Sequence, residues 1–283
     1  MTPHDLLAAF ETLVEAPDGI ARLRELVLQL AVRGKLVPQD PNDVPACVLL
    51  ERITAEKARL AREGKIPKPK LLPPVNEDDV PFEVPEGWTF IPFGEVFIDV
   101  FTGPFGTALK ASEYIRGATP VINPQNMKDG AIVPTDDTCV GLETIRRLST
   151  FIVYERDVIV ARRGEMGRCA VVSPRESGWL CGTGSLVLRP PKEVMPQYVA
   201  LFLRSPSTVA KLTGDSVGSP MSNLNQRIMV NLPFGFPPLP EQHRIVAKVD
   251  ALMALCDALE ARLAAAPEDQ AAFAAAAVHH LDV

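Results

Sequence analysis

Behind the stop sequence Pro237-Pro238-Leu239-Pro240, apolar side chains recur at Ile245, Val249, Leu252, Cys256, Leu259 and Leu263. The steps alternate between four and three residues. That puts all six on one narrow seam of an α-helix beginning at Glu241. A seam this narrow needs a facing helix. Three surfaces can close it: a second copy of the chain, the helix expected over residues 20–33, or the body of its own domain. Pro267 is expected to interrupt the helix, with a separate alanine-rich helix from Glu268 to Leu281.

The rest of the chain divides by composition. Ile20, Leu23, Val27 and Leu30 recur at helical spacing up to Gly34, predicting an amphipathic helix over 20–33. A second helix is predicted from Ala46 to Arg62, ended by Gly64. Residues 65–87 are dense in proline and charge and predict an extended linker. From Trp88 onward, short β-rich runs alternate with Gly, Pro and Asn: Val96–Phe101, Thr119–Ile122, Phe151–Ala161, Cys169–Ser173 and Gly184–Arg189. One helix is expected within Pro196–Lys211. The predicted class is α/β of the α+β kind. A mixed, β-rich domain (88–238) is flanked by a helical region (1–64) with its linker (65–87) and by a long coiled-coil-like helix with a C-terminal helix (239–283).

Catalytic motifs are weak throughout. The nearest match to an amino-methyltransferase turn, Asn123-Pro124-Gln125-Asn126, lacks the second proline and the aromatic residue. The common glycine-rich loops for a dinucleotide or a nucleotide phosphate are missing. Asp43 with Glu63-Gly64-Lys65 imitates a metal-dependent nuclease motif, but a solvated helix end accounts for the last three. His4, His243, His279 and His280 lie on the helical flanks, away from Ser185 and Ser219, so no nucleophile has a base beside it. Cys47, Cys139, Cys169, Cys181 and Cys256 have neither zinc-ligand spacing nor an even number to pair, and are read as free thiols. No catalytic residue, metal or cofactor is therefore expected in this chain. Nothing resembles a signal peptide or a membrane span, so a cytoplasmic location is expected.

Binding is what remains. The net charge is −6, yet the segment from Trp88 to Gly235 carries 15 basic against 13 acidic side chains, so the acidity lies in the flanks. Four clusters in that segment offer the side chains that read base edges and phosphates. They are Lys110, Ser112 and Tyr114; Asn123, Gln125 and Asn126; Arg162, Arg163 and Arg168; and Ser219, Ser222, Asn223, Asn225 and Gln226. Each has a plainer role open to it. Asn123 and Asn126 can serve a turn. Ser222, Asn223 and Asn225 can cap a helix. The Arg162-Arg163 pair fits either phosphate contact or surface ion pairs.

Several stretches together resemble one family. Leu239-Pro240-Glu241-Gln242-His243-Arg244-Ile245-Val246 resembles the L-P-E-Q-x-R-I-V signature of type I restriction-modification specificity subunits. Ala31-Val32-Arg33-Gly34-Lys35-Leu36-Val37-Pro38-Gln39 is similar to that family's A-V-x-G-K-L-V-P-Q segment. Pro85-Glu86-Gly87-Trp88 resembles the start of its target-recognition domain, as do Gly103-Pro104-Phe105-Gly106 and Asp157–Gly164 within that domain. The resemblance implies a subunit that reads double-stranded DNA at a bipartite site and carries an antiparallel coiled-coil spacer. Methylation subunits would dock around the spacer, and a restriction subunit would join the complex. Adenine methylation with S-adenosylmethionine, and cleavage driven by ATP and magnesium, would belong to those partners. The family usually has two recognition domains in tandem, whereas this chain has one. A half-subunit forming a homodimer through the spacer helix is the matching expectation. The alternative function is an assembly or inhibitory protein that docks methylation subunits without reading DNA.

Overall fold

The computed structural model describes residues 18–214 and 224–281. Two helices come first, α1 (Gly19–Val32) and α2 (Ala46–Arg62). The apolar stripe Ile20, Leu23, Val27 and Leu30 is the buried face of α1. Gly34 turns the chain at φ +66°, and Lys35 N–H donates back to Leu30 O (3.0 Å), closing the helix end. On α2, Ala46, Leu49 and Ile53 are buried, while Arg59 on the outer face pairs with Glu56 and Glu63 (2.6 Å each).

Twelve strands follow, with short helices among them. They are β1 (Thr89–Pro92), β2 (Asp99–Thr102), β3 (Tyr114–Ile115), β4 (Thr119–Ile122), β5 (Met127–Lys128), β6 (Ala131–Ile132), β7 (Cys139–Val140), α3 (Leu142–Arg147), β8 (Val158–Ala161), β9 (Cys169–Val171), β10 (Leu180–Cys181), β11 (Ser185–Arg189), α4 (Pro196–Arg204), α5 (Pro206–Gly214), α6 (Gln226–Val230) and β12 (Pro233–Phe236). The long helix α7 (Leu239–Leu281) ends the chain.

An antiparallel sheet in the order β2-β11-β8-β9 is the centre. Its strands alternate between two cores, because successive side chains of a strand point to opposite faces. Val158, Val160, Leu186 and Leu188 join the larger cluster, while Ile159, Ala161 and Val187 join a smaller one with Ile122 and Met127. Burial on both faces explains why these strands read as continuous apolar runs. A second sheet, β10-β4-β7-β3, is mixed, with β10 parallel to β4. The β5-β6 hairpin turns on Asp129 (φ +50°) and Gly130 (φ +81°), the sequence chemistry of a two-residue loop. Strands β1 and β12 pair antiparallel, Thr89 opposite Phe236, which closes the β-rich region on itself.

The larger core does not stop at that region. It unites Ala31, Ile53 and Val249 from the helices with Phe93, Phe97, Phe202, Phe234 and Phe236. Phe93 lies 4.8–5.0 Å from the rings of Phe97, Phe202 and Phe234, in the edge and tilted geometries that aromatic quadrupoles favour.

The seam finds its partner within the chain. Helix α1 runs against α7: Ile20 and Leu23 meet Cys256 and Leu259, and Arg24 bridges Asp257 (2.6 Å) and Glu260 (2.7 Å). Ile245, Val249 and Cys256 are buried, Leu252 and Leu259 are half-buried, and Leu263 is 41% exposed. Of the three surfaces that could close the seam, α1 is the one that lies against it. The seam is covered as far as Leu259, by an apolar face of matching period. Two helix boundaries also differ from expectation. Pro196–Lys211 holds two helices, because Pro206 has no N–H and holds Ser205 extended (ψ 142°). Pro267 does not end α7. A helix-interior proline costs about 3 kcal/mol, and good helix formers on both sides offset it. No helix among the described residues is long and apolar enough to cross a membrane.

Three of the segments singled out by resemblance, residues 31–39, 85–88 and 239–246, meet at one buried node. Glu241, 1% exposed in the first turn of α7, accepts hydrogen bonds from Trp88 Nε1 and Gln39 Nε2 (2.8 Å each). Gln242 Oε1 accepts from Met195 N (2.7 Å), and Arg244 pairs with Asp43 (2.6 Å). Ala46 N–H donates to Gly87 O (2.8 Å). Gly34 packs under Pro85, where an added Cβ would lie 2.5 Å from Pro85 Cγ. Burial pushes the Glu241 carboxyl above its usual range, and the bonds from Trp88 and Gln39 pull it back. A carboxyl raised in the fold contributes stability that is present at low pH and lost as pH rises through its folded pKa. Trp88→Phe removes one donor from the ionised form. It should cost roughly 1.5–3 kcal/mol at neutral pH beyond any packing loss, and less as Glu241 protonates. Urea unfolding of both proteins from pH 7.5 to 4.5 checks this; a pH-independent difference would refute the assignment.

Candidate nucleic-acid interface

The loops that carry the candidate residues belong to strands scattered through the sequence, yet they gather around the turn Gly182-Thr183-Gly184. Gly103 N–H donates to Ser185 O (3.0 Å), and Thr183 Oγ1 donates to Pro104 O (3.0 Å), fixing the loop after β2. Gly182 N–H donates to Ile122 O (2.9 Å), fixing the loop after β4. Arg162 N–H donates to Gly184 O (2.8 Å), and Leu224 N–H to Arg162 O (2.9 Å), which brings in the loop after β8 and the segment before α6. The approach is too close for side chains at the crossing points. A Cβ on Gly103 would lie 2.0 Å from Gly182 O, and one on Gly182 would lie 2.2 Å from Asn123 Oδ1.

The candidates separate into those spent on this framework and those left exposed. Asn126 is buried: its Oδ1 accepts from Asn123 N, and its Nδ2 donates to Val133 O (3.0 Å each). Asn225 caps α6 through Ile228 N (2.9 Å), and Gln226 donates to Val100 O (2.6 Å). Tyr114 is half-buried, so its hydroxyl titrates above the usual range, while a hydrogen bond with the Asn123 side chain pulls the other way. The two adjacent arginines part company. Arg162 is 7% exposed, its Nε donates to Leu224 O (2.7 Å), and its guanidinium lies 5.0 Å from the centre of the Phe105 ring. Burial, and the Arg163 charge beside it, push its pKa down. Arg163 is exposed and has no ion pair among the described residues. Arg168 pairs with Glu165 (2.8 Å). Lys110, Ser112 and Gln125 are exposed, with side chains free of hydrogen bonds to the described residues. Ser219, Ser222 and Asn223 lie outside the described residues.

A cleft of about 610 Å³ opens beside this cluster, lined by Gln125, Lys128, Arg168 and Arg204 among others. Two participants are not among the candidate residues, Thr183 and the 56% exposed Phe105, the latter noted only as part of the Gly103–Gly106 stretch. Glycines flank each of them, a signal that a backbone must turn tightly or pass closely there. The described residues hold no cluster of three or more His, Cys, Asp or Glu able to take a metal ion. The nuclease-like residues are spent elsewhere, Asp43 on Arg244 and Glu63 on Arg59 and Lys65. Burial pushes the thiols of Cys169 and Cys181 up to about 12, so both remain protonated near neutral pH. The surface presents exposed hydrogen-bonding and cationic groups on a rigid scaffold, an arrangement suited to recognition.

Comparison with known proteins now gives this surface a context. The sequence profile of the family described as the type I restriction modification DNA specificity domain matches residues 85–266. The type I restriction enzyme EcoEI specificity subunit of Escherichia coli is 37% identical over 250 residues, which covers 86% of this chain and 40% of the relative. The EcoAI specificity subunit, also of Escherichia coli, is 36% identical over 248 residues, covering 86% and 41%. The chain thus spans about two fifths of the length of these relatives. Among solved structures, the HsdS subunit from Thermoanaerobacter tengcongensis shares the fold at TM-score 0.50 and 18% identity, over 92% of this chain and 52% of that one. A chain from a type I R-M system, solved to explain complex assembly and conformational transition, gives 0.52 and 19% over 79% and 53%.

Gly103→Ala should destabilise the protein by about 1–3 kcal/mol, because its new Cβ meets a backbone oxygen that cannot swing aside. Gly106→Ala should cost less, since that position has open space and only a left-handed φ of +57° to maintain. Equilibrium unfolding of the two variants tests the order, and equal losses would count against loop crossing as the constraint. A family match over most of the β-rich region and the start of α7, with two relatives above one-third identity, shows that the chain belongs to the type I restriction-modification DNA specificity family.

Proposed function

We propose that this chain is the DNA-reading component of a type I restriction-modification complex. It directs methylation and restriction partners to a bipartite sequence in double-stranded DNA. The observation that supports this most is the convergence of dispersed polar loops on one rigid turn, within a fold of the specificity family. Residues 88–238 read the DNA, and the helical elements around them hold the partners. Lys110, Ser112, Gln125 and Arg163 face the DNA, with Arg163 the first choice for a phosphate because none of the described residues neutralises it. The chain itself is not catalytic. S-adenosylmethionine acts on the methylation subunits and ATP with magnesium on the restriction subunit, and the complex works in the cytoplasm.

A bipartite target needs a second reading domain. A second copy of this chain supplies one if the two associate along the side of α7 turned away from α1 and its continuation past Leu259, where Leu255 and Leu263 are exposed. Two-fold symmetry would then make the target an interrupted palindrome. Methylome sequencing of cells with and without the gene tests the function directly. Loss of a bipartite adenine motif is the expected result, and an unchanged methylome would overturn it. In the same cells, Arg163→Ala should weaken methylation at the motif without changing its sequence, because a phosphate contact contributes affinity and no base information. A changed motif would show that Arg163 reads bases instead.

A further inference from the structure

Phe105 is the only Phe or Trp among the described residues with more than half of its surface exposed. It sits in the loop cluster that carries the DNA-facing candidates. Solvent exposure of a phenyl ring is unfavourable, and the chain fixes the ring there. Gly103 anchors the turn on one side of it, and Thr183 Oγ1 holds the Pro104 carbonyl at 3.0 Å. The ring rests against the guanidinium of Arg162, 5.0 Å away, in a cation–π arrangement. That guanidinium is itself locked by its bond to Leu224 O. A buried arginine on one side and solvent on the other make Phe105 a preformed apolar contact within a polar surface.

We propose that Phe105 is a specificity-determining residue that meets an apolar surface of a base in the target, and that Arg162 is its positioning residue. The proposal rests on the DNA-reading function above. A phenyl ring has no hydrogen bond to give a phosphate, so its gain on DNA comes from covering a thymine methyl group or the face of a partly unstacked base. Both are features that differ with sequence. Arg162 acts through the ring and through Leu224, and it leaves the phosphate to Arg163.

The test uses the complex of this chain with its methylation subunits. Two duplexes are compared, one carrying the motif identified by methylome sequencing and one with that motif scrambled. Phe105→Ala should lower the ratio of the two affinities by about tenfold or more, the scale of one base–aromatic contact, and leave the slope of log affinity against log salt unchanged. Arg163→Ala should reduce that slope by about one and leave the ratio intact. Arg162→Ala should lower the ratio as Phe105→Ala does. Adding it to Phe105→Ala should bring little further loss, whereas independent structural damage would add. Uracil in place of each thymine identifies a methyl contact, as a position where wild type loses affinity and Phe105→Ala does not. A rise in 2-aminopurine fluorescence that depends on Phe105 identifies an unstacked base. An unchanged ratio in Phe105→Ala, or equal losses on both duplexes, would overturn the proposal. If the wild-type complex fails to distinguish the duplexes at all, the DNA-reading function falls, and the Phe105 contact with it.

Discussion

A single buried carboxylate ties the chain together. Glu241 is the shared acceptor for an indole from the start of the β-rich region and an amide from the loop after α1. Burying an ionised carboxyl is unfavourable unless donors surround it, and here the donors come from segments 153 and 202 residues away in sequence. The carboxylate is therefore satisfied only when all three segments are in place. Gln242 and Arg244 extend the same logic to Met195 and Asp43. The start of α7 is thereby fixed against the entry to the β-rich region and the loop after α1.

Local patterns carried much of this. The four-residue and three-residue steps of Ile20, Leu23, Val27 and Leu30 located α1, and the β-rich runs Phe151–Ala161 and Gly184–Arg189 contain the two middle strands of the central sheet, the first of them only from Val158 onward. What local patterns lacked was pairing over distance. A heptad seam states that it needs a facing helix and not which one, so the covering of α7 by α1 was open until the structure placed Leu23 against Cys256. The loop cluster was harder. Arg162 and Arg163 are neighbours of identical chemistry, and only the carbonyl of Leu224, 62 residues downstream, draws one inward. Resemblance identified the segments around Glu241, Trp88 and Gln39 but not that they bond to one another.

The use of arginine bears on the proposed contact with an acidic polymer. Arg162, Arg189 and Arg156 are engaged internally, Arg189 by a two-bond grip on the buried Asp157 and Arg156 by the carbonyls of Pro191 and Val194. The surface consequently has less free positive charge than the sequence suggests. Phosphate neutralisation supplies much of the affinity of any protein for DNA, so the proposed DNA-reading role asks of this scaffold the selection of a sequence more than an unaided hold on the duplex. A docked partner with a basic face would complete that division of labour.

The pairing of β1 with β12 has a separate implication. Thr89 stands opposite Phe236, so the two backbone points that bound the intervening segment lie only about 5 Å apart. Everything between them leaves and returns through one doorway. A gene exchange that replaced this stretch would have to match two adjoining strands and the side chains by which the stretch packs on the helices, Phe93, Tyr198 and Phe202 among them. Recombination at that doorway could thus exchange the whole stretch in one step, provided the incoming segment presents the same apolar face to the helices.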